Sequence, residues 1–351
     1  MTTMKMPSGG IATVKTLSLL LGVRRKTLWW LVLTNKATAT NPCGSQYREL
    51  RIPKKGGGYR VLHDPSPRLK FVQKLLLARL FAQRDDTTPG HVGAYVIGRG
   101  IAHTVTQHVA PRVLVSMDVS NFFPSTKQRM VKAHLESLGF SGRALDVVTS
   151  LVCVNVWDPG RGRCRTFLPQ GAPTSAALSN AIAMASVDAP LMARLSALPG
   201  PSFVYTRYCD NLELSTSDPD ATPEHTAAAM AAVREVLSSA GYSVNDRKTK
   251  VAWSNSPRIA QRVLGVTVNS HPNIPSREYR RLKTLVHLIS VHGLSEVASH
   301  GRLAQPYVAG VEAASAPGAL YASLHGELVY WAQIAPKAGQ LLTALKTKAK
   351  T

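Results

Sequence analysis

Two aspartates far apart in the chain each lie where an apolar strand ends. Asp118 closes the strand predicted at 113–118, and Asp210 lies between short strands predicted at 203–208 and 212–215. Carboxylates at the tips of adjacent strands can share a hard divalent cation, because Mg²⁺ prefers oxygen ligands and completes its shell with substrate phosphates. Two such metals, roughly 3.5–4 Å apart, clamp the attacking and leaving oxygens of a phosphoryl displacement. The pair therefore indicates phosphoryl-transfer chemistry.

Two further segments add to this pattern. Residues 51–79 carry eight Lys or Arg against one acid, and the stretch 54–60 places three glycines between basic residues. Such a turn lets the backbone approach a phosphate closely. The loop 168–175, Leu-Pro-Gln-Gly-Ala-Pro-Thr-Ser, leads into an apolar helix. Each feature alone has an ordinary explanation as a turn or solvated loop, but their conjunction in this order is far more specific.

The charge balance indicates a polyanionic partner. Lys plus Arg is 42 and Asp plus Glu is 20, which gives 42 − 20 = +22 and a pI near 10.2. Nucleic acid is the first expectation and an anionic membrane surface the second. The positive charges are spread along the chain rather than gathered in one amphipathic helix, which disfavours the membrane. A basic but otherwise ordinary surface remains an alternative. With 44% apolar residues the chain can form a sizeable core.

Cysteine spacing and the N-terminal segment bear on compartment. None of the four cysteines forms a C-x-x-C pair, which argues against a zinc site. So few cysteines in so long a chain indicate a reducing compartment. The apolar stretch from Leu17 to Leu33 is interrupted at residues 24–26 by three basic side chains, so it is too short and too charged to span a bilayer. No signal-peptide pattern follows, and we expect a cytoplasmic protein.

The coarse element order predicts an α+β fold with one mostly antiparallel sheet and helices on one face. Further elements are expected at the following positions: two short helices in 11–35, a polar linker at 36–45, helices at 69–81, 125–138 (with Ser125 as its cap), 174–195 and 223–240, strands at 242–244 and 249–253, and a helical tail over 276–351 broken near Gly293, Pro306, Pro317 and Pro336.

These motifs together resemble the bacterial reverse transcriptases of the retron type, over about residues 11–300. The matching segments are Ile52-Pro53-Lys54-Lys55 with Gly58 and Arg60, Pro67-x-Leu69-Lys70-x-x-Gln73, Met117-Asp118-x-x-Asn121-Phe122-Phe123-Pro124, Leu168–Ser175 followed by Leu178-Ser179-Asn180, Tyr205-Thr206-Arg207-Tyr208-Cys209-Asp210, and Asn245-x-x-Lys248-Thr249. The Leu168–Ser175 string followed by the Tyr205–Asp210 string is highly specific.

The resemblance implies a right-hand polymerase of fingers, palm and thumb. The palm is then a ferredoxin-like antiparallel sheet and the thumb is helical and basic. The expected segments are an N-terminal helical segment at 1–45, part of the fingers at 46–112, the palm with a fingers insertion at 113–269, and the thumb at 270–351.

The same resemblance assigns roles to individual side chains. Asp118, Asp210 and Asn211 fall on the catalytic, metal-binding positions, where two Mg²⁺ ions per site are expected. Five positions match substrate-binding residues: Lys55 and Arg60 grip the triphosphate, Phe123 lies beneath the sugar and excludes a 2′-hydroxyl, Gln170 borders the nucleotide pocket, and Lys248 lies near the triphosphate as a proton donor to pyrophosphate. Core packing for Phe123 and a solvated turn for Lys248 are the structural alternatives.

This sequence departs from the family pattern at three places. Asn211 stands where the family has a second hairpin aspartate, which removes one carboxylate; Glu213, two residues on, is a candidate to supply the missing charge. Of the family's Asn-Ala-x-x-His signature this sequence keeps only His108. At the primer-grip turn the family's Val-Thr-Gly is replaced by Val263-Leu264-Gly265. These changes bear on the retron-specific branched RNA–DNA product more than on the fold.

The resemblance implies RNA-directed DNA synthesis by two-metal nucleotidyl transfer, copying a structured non-coding RNA into DNA from dNTPs, in antiphage defence. A separate effector protein is the expected partner, and no membrane is. The alternative is an impaired, polymerase-shaped RNA-binding subunit, which Asn211 motivates. A template-independent or self-primed nucleotidyl transferase is a third reading.

Overall fold

The structure is a computed structural model, and it describes residues 10–54, 57–81, 88–256, 259–300, 302–309 and 311–348. The chain divides into two units. The first contains Met1–Gly100, Val115–Leu214 and Asp220–Lys250, and the second contains Ile101–Leu114, Ser215–Pro219 and Val251–Thr351.

The N-terminal third of the chain consists of short helices and one hairpin. These elements are α1 (Val14–Leu21), α2 (Arg25–Thr34), β1 (Tyr47–Pro53), β2 (Tyr59–Pro65), α3 (Pro67–Leu76) with a π-turn at Leu77–Phe81, and α4 (Ile101–Val105). Gly22 ends α1 in a left-handed conformation, and the Ser66 hydroxyl caps α3 by accepting from the Leu69 N–H. The two predicted N-terminal helices and the predicted helix 69–81 are confirmed.

The central part of the chain contains the segments that carry the two aspartates. Its elements are β3 (Val113–Asp118), α5 (Phe122–Ser125), α6 (Gln128–Ser137), α7 (Gly142–Val152), β4 (Val154–Asp158), β5 (Arg163–Phe167), α8 (Ser175–Ala183) with a π-turn at Met184–Asp188, α9 (Ala189–Ser196), β6 (Val204–Tyr208), β7 (Asn211–Thr216), α10 (Pro223–Ser239) and β8 (Lys250–Trp253). Thr222 caps α10, and Gly241 with φ +83° follows its end, as predicted.

A four-stranded sheet has the order β6-β7-β3-β8. Along the chain the order is strand, helices, two strands, helix and strand, which is the ferredoxin-like arrangement. The first strand, β3, therefore lies between the third and fourth, which brings the tip of β3 next to the β6–β7 hairpin. The predicted α+β class is confirmed.

Two local predictions are wrong. Ser125 does not cap a helix: it ends α5, and α6 begins at Gln128 after Lys127, because Thr126 (φ −74°, ψ 91°) interrupts the helix. Residues 242–244 do not form a strand. Only Val244 makes a single antiparallel bridge, to Val119, since the segment leaves the sheet edge after one pair.

The chain after β8 forms a short hairpin and a group of helices. These are β9 (Arg262–Val263), β10 (Val266–Thr267), α11 (Ser276–His292), α12 (Leu294–His300), α13 (Gln305–Val308), α14 (Ala316–Ala332) and α15 (Pro336–Lys348). Prolines 306, 317 and 336 lie in the first turns of α13, α14 and α15, where their missing N–H costs nothing. The helical tail and its four breaks are confirmed.

One helical stretch, Ser175–Ser196, has the length and hydropathy of a membrane span among the residues described, and 50% of it is buried in the structure. Core helices of globular domains meet the same criterion, so this stretch is weak support for a membrane segment.

Candidate active site

Asp118 lies at the solvent border of a buried strand. Its side chain is 13% exposed, and both carboxylate oxygens accept hydrogen bonds of 3.0 Å from the Nζ of Lys248, which is 61% exposed. Asn245 donates its side-chain amide to the same carboxylate at 3.3 Å, and its backbone N–H bonds the Asp118 carbonyl at 2.7 Å. The carboxylate is therefore held by a cation that solvent can reach and displace.

Asp210 lies in the turn between β6 and β7, next to Asp118. The Val119 N–H donates to the Asp210 carbonyl at 2.8 Å, and Val119 directly follows Asp118, so the backbones of the two aspartates are tied together. Burial raises the pKa of the Asp210 carboxyl, and the negative charge of Asp118 raises it further. The two carboxylates thus repel each other, and a cation placed against both would relieve that repulsion.

Asn211 begins β7 and points its amide at Asp210. Its Nδ2 donates to Asp210 Oδ1 at 3.3 Å and to the Tyr208 carbonyl at 3.4 Å. In this orientation the Asn211 amide nitrogen donates to the Asp210 carboxylate. An aspartate in place of Asn211 would repel that carboxylate. A half-turn of the amide would present its oxygen to a cation, with a dipole but no charge.

Glu213 has a different partner from the two aspartates. It is 3% exposed, and its carboxylate accepts a hydrogen bond from the Ser116 hydroxyl. Ser116 precedes Asp118 by two residues and so lies on the same face of β3. The idea that Glu213 supplies the missing negative charge stays a prediction.

The loop containing Gln170 lies against strand β2. The His63 N–H donates to the Gln170 carbonyl at 2.8 Å. Gly171 has φ +117°, and a Cβ there would lie 3.3 Å from the His63 carbonyl oxygen. The positive φ requires glycine at this position, and the close approach to the His63 carbonyl favours it. The hydrogen bond and the glycine together hold the loop against the hairpin.

Phe123 lies beside the core rather than in it. Its neighbour Phe122 is buried and stacks on Tyr242, with ring centroids 5.5 Å apart. Phe123 is half-buried and meets Phe122 edge-on at 5.7 Å. Phe122 therefore takes the packing role, and Phe123 packs against it while staying partly exposed.

One of the two predicted triphosphate-gripping residues lies on the β1–β2 hairpin. Arg60 is exposed on β2, opposite Ile52. Lys55 lies outside the described residues. The turn is closed by a 3.0 Å bond from the Lys54 N–H to the Gly58 carbonyl.

In the second unit, the predicted primer-grip turn is a tight hairpin. Leu264 and Gly265 both have positive φ, +51° and +86°, between the paired strands β9 and β10. Two successive left-handed residues are typical of the two-residue turn that matches strand twist.

A buried ion pair beneath the hairpin was missed by sequence reasoning. Arg207 and Asp188 are each 1% exposed, and the guanidinium donates to both oxygens of Asp188 at 2.7–3.0 Å. Arg207 also donates to Asn180 Oδ1 at 2.7 Å, and Tyr205 donates to Asp188 at 2.7 Å. An acid inside the otherwise uncharged run 176–193 was the available signal.

Cys209 occupies the left-handed position of the turn (φ +60°), and its side chain is buried. The Tyr95 hydroxyl donates to its Sγ at 3.3 Å. Burial raises the pKa of the Cys209 thiol to about 12, with the charge of Asp210 adding to it. The thiol is therefore a packing group rather than a nucleophile.

The sequence is similar to known proteins of one family. Residues 52–269 match the family described as reverse transcriptase (RNA-dependent DNA polymerase). Retron Mx65 reverse transcriptase of Myxococcus xanthus is 34% identical over 250 residues, covering 69% of this chain and 55% of that protein. Retron Mx162 reverse transcriptase of the same organism is 30% identical over 291 residues, covering 76% and 56%.

The chain thus spans just over half the length of these curated relatives. Among solved structures, telomerase from Candida albicans aligns with a TM-score of 0.48 and 14% identity, covering 95% of this chain and 65% of that one.

Proposed function

The chain belongs to the reverse transcriptase family as a retron-type member, and from this premise we propose that it is an RNA-directed DNA polymerase. The observation that supports the proposal is the hydrogen bond from the Val119 N–H to the Asp210 carbonyl, which joins the backbone directly after Asp118 to the β6–β7 turn. The metal site predicted from the sequence depends on Asp118 and Asp210 meeting in space, although they are 92 positions apart in the chain.

The two aspartates fit a site for divalent metal ions. Burial and the charge of Asp118 raise the pKa of Asp210, and Lys248, the cation paired with Asp118, is 61% exposed and can give way to a metal ion. Asp118 and Asp210 would hold the ions, Mg²⁺ by the preference for oxygen ligands, and Asn211 would add a neutral oxygen. Bound Mg²⁺ would supply positive charge to the transferring phosphoryl group.

The surrounding side chains would bind and select the nucleotide. Lys248 must leave Asp118 when a metal ion binds there, and its exposed side chain is then free to pair with the triphosphate and protonate pyrophosphate. Arg60 and Lys55 would grip the triphosphate, since a guanidinium binds phosphate in a bidentate manner. Phe123 would exclude the 2′-hydroxyl of a ribonucleotide by steric clash, and Gln170 would border the pocket.

The proposal extends to partners and organisation. Residues 1–45 would form an N-terminal helical segment, 46–112 part of the fingers, 113–269 the palm and 270–351 the thumb. The formal charge of +22 suits a structured RNA template and its DNA product. The proposal also includes action in the cytoplasm in antiphage defence, with a separate effector protein.

The decisive experiment measures template-dependent dNTP incorporation on primed RNA, with Mg²⁺ or Mn²⁺, by Asp118→Asn. We expect a loss of about a thousandfold or more, because several kcal/mol of transition-state stabilisation depend on the metal. Asp146→Asn is the matched control, since Asp146 is 69% exposed and its ion-pair partner Lys132 is exposed as well. It should retain full activity.

The alternative function is an outcome of the same assay. If the natural protein incorporates nothing with either metal, binds RNA tightly in a salt-dependent manner, and keeps that binding in Asp118→Asn, then it is a polymerase-shaped RNA-binding subunit. Activity gained only by Asn211→Asp would trace the impairment to the missing carboxylate.

A further inference from the structure

Three side chains of different chemistry converge in the first unit at the base of the β1–β2 hairpin. One ligand atom each from Cys43, Glu49 and His63 lies within 4.8 Å of the other two. Sulfur, carboxylate oxygen and imidazole nitrogen form a donor set that Zn²⁺ accepts, whereas Mg²⁺ does not take thiolate. None of the three side chains belongs to the proposed nucleotide-transfer site.

The hairpin register places two of these side chains together. Glu49 and His63 are directly paired across β1 and β2, so they lie on the same face of the hairpin. His63 is 5% exposed, and both of its ring nitrogens are buried without a hydrogen-bond partner. A buried imidazole with neither nitrogen satisfied is costly. A metal ion on one nitrogen would remove part of that cost.

The third side chain is held in place by its own loop. Cys43 is 7% exposed, in a turn closed by a 3.1 Å bond from the Gly44 N–H to the Asn41 carbonyl. On either side, the Ser45 N–H bonds the Thr34 carbonyl at 3.1 Å, and the Trp157 N–H bonds the Pro42 carbonyl at 2.8 Å. The thiol is therefore positioned by the backbone, without needing a metal ion to order the loop.

Glu49 forms the solvent side of the cluster. Its side chain is 31% exposed, and one carboxylate oxygen accepts from Arg51 Nε at 2.8 Å. A carboxylate oxygen of Glu49 also lies within 4.8 Å of the Cys43 sulfur and of a His63 ring nitrogen. Three protein ligands with one side open to solvent are the pattern in which water takes the fourth position.

We propose that Cys43, Glu49 and His63 bind one Zn²⁺ ion, with water as the fourth ligand and the thiol proton released to solvent. The ion joins the loop of residues 36–46 to the hairpin. The backbone N–H of His63 donates to the Gln170 carbonyl, so the zinc site lies on the strand that supports the Gln170 loop. The absence of C-x-x-C pairs argued against zinc from sequence, but here the ligands are brought together by a hairpin.

Cobalt substitution tests this proposal directly. Tag-free full-length protein is stripped with a chelator and titrated with Co²⁺, then Zn²⁺, in excess Mg²⁺ to occupy the Asp118 and Asp210 site. We expect one equivalent of tetrahedral Co²⁺ with a thiolate-to-metal charge-transfer band, displaced by Zn²⁺. Cys43→Ser should lose the band, and Glu49→Gln should weaken binding by about 100-fold or more, beyond the usual effect of an outer-shell change.

Two matched variants make the result unambiguous. Cys164→Ser removes an exposed cysteine outside the cluster, and Asp118→Asn removes a residue of the other metal site. Both should keep the cobalt band, whatever happens to polymerase activity. No thiolate band in the natural protein, or a band retained by Cys43→Ser, would overturn the proposal. Glu49→Gln, at the solvent side, keeps the test valid if Cys43→Ser fails to fold.

Discussion

Asp118 and Asp188 both pair with a cationic side chain in the first unit, but their surroundings are opposite. Asp118 pairs with Lys248, which is 61% exposed, whereas Asp188 and Arg207 are each 1% exposed. Lys248 can exchange for water or a metal ion at little cost. Arg207 cannot leave, because Asp188 would remain charged and buried. The comparison separates an acid available for chemistry from an acid that fixes the hairpin carrying Asp210.

The largest expected effect comes from breaking the buried pair with Arg207→Leu. Removing one partner of a buried ion pair costs about 3–5 kcal/mol of unfolding free energy, measurable by urea denaturation. Arg194→Leu is the control, because its exposed pair with Glu235 contributes less than about 1 kcal/mol. The double change Arg207→Leu with Asp188→Leu should recover part of the loss. Equal losses in Arg207→Leu and Arg194→Leu would remove the distinction.

A second buried group, in the second unit, tests whether burial also sets pH sensitivity. Burial lowers the pKa of His108, which shares a 2.7 Å hydrogen bond with Ser215, to about 4. The unfolded chain takes up a proton near pH 6.5 and the folded chain does not, so stability is full above 6.5 and falls as the pH drops towards 4. The difference between these two pKa values corresponds to about 3 kcal/mol of unfolding free energy.

Urea denaturation between pH 7 and pH 4 measures this dependence. His108→Gln should lose correspondingly less stability over that range, while His271→Gln, at an exposed position, should follow the natural protein. A His108→Gln curve parallel to that of the natural protein would contradict the assignment.

Asn211→Asp sharpens the metal side of the comparison. A third carboxylate beside Asp210 adds charge to the metal site, so we expect about a tenfold lower Mg²⁺ requirement for incorporation, equivalent to about 1.4 kcal/mol. A Mg²⁺ titration of initial rates measures it. Asn273→Asp adds the same charge in the second unit and should leave the titration unchanged. An unchanged requirement in Asn211→Asp would show that Asn211 does not approach the metal.

The smallest effect on stability is expected for Lys248→Met. Its exposed pair with Asp118 should contribute less than about 1 kcal/mol of unfolding free energy, while nucleotide incorporation slows if Lys248 pairs with the triphosphate. Lys132→Met, which removes another exposed ion pair, should alter neither quantity. If Lys248→Met destabilised the protein as much as Arg207→Leu, the exposed pair would contribute as much stability as the buried pair, which would contradict the comparison.

Local signals were sufficient for much of the fold. The apolar run before Asp118 gave β3, the Thr222-Pro223 start and Gly241 bounded α10, and three prolines marked helix starts in the tail. Each depends on neighbours within one turn or one strand. The predictions that were wrong, the Ser125 cap and the strand at 242–244, fail where Thr126 and Tyr242 pack against each other from 116 residues apart, with a 3.0 Å hydrogen bond between their hydroxyls.

The sequence by itself determined many of the element types, the motif positions and the family, because strand alternation, helix caps and motif spacing are properties of consecutive residues. Only the tertiary structure decided which charges meet: Lys248 with Asp118, Arg207 with Asp188, and Cys43 with Glu49 and His63. These contacts depend on how the sheet orders its strands and on hairpin register. Partner choice between distant side chains is set by packing and burial, which no local spacing encodes.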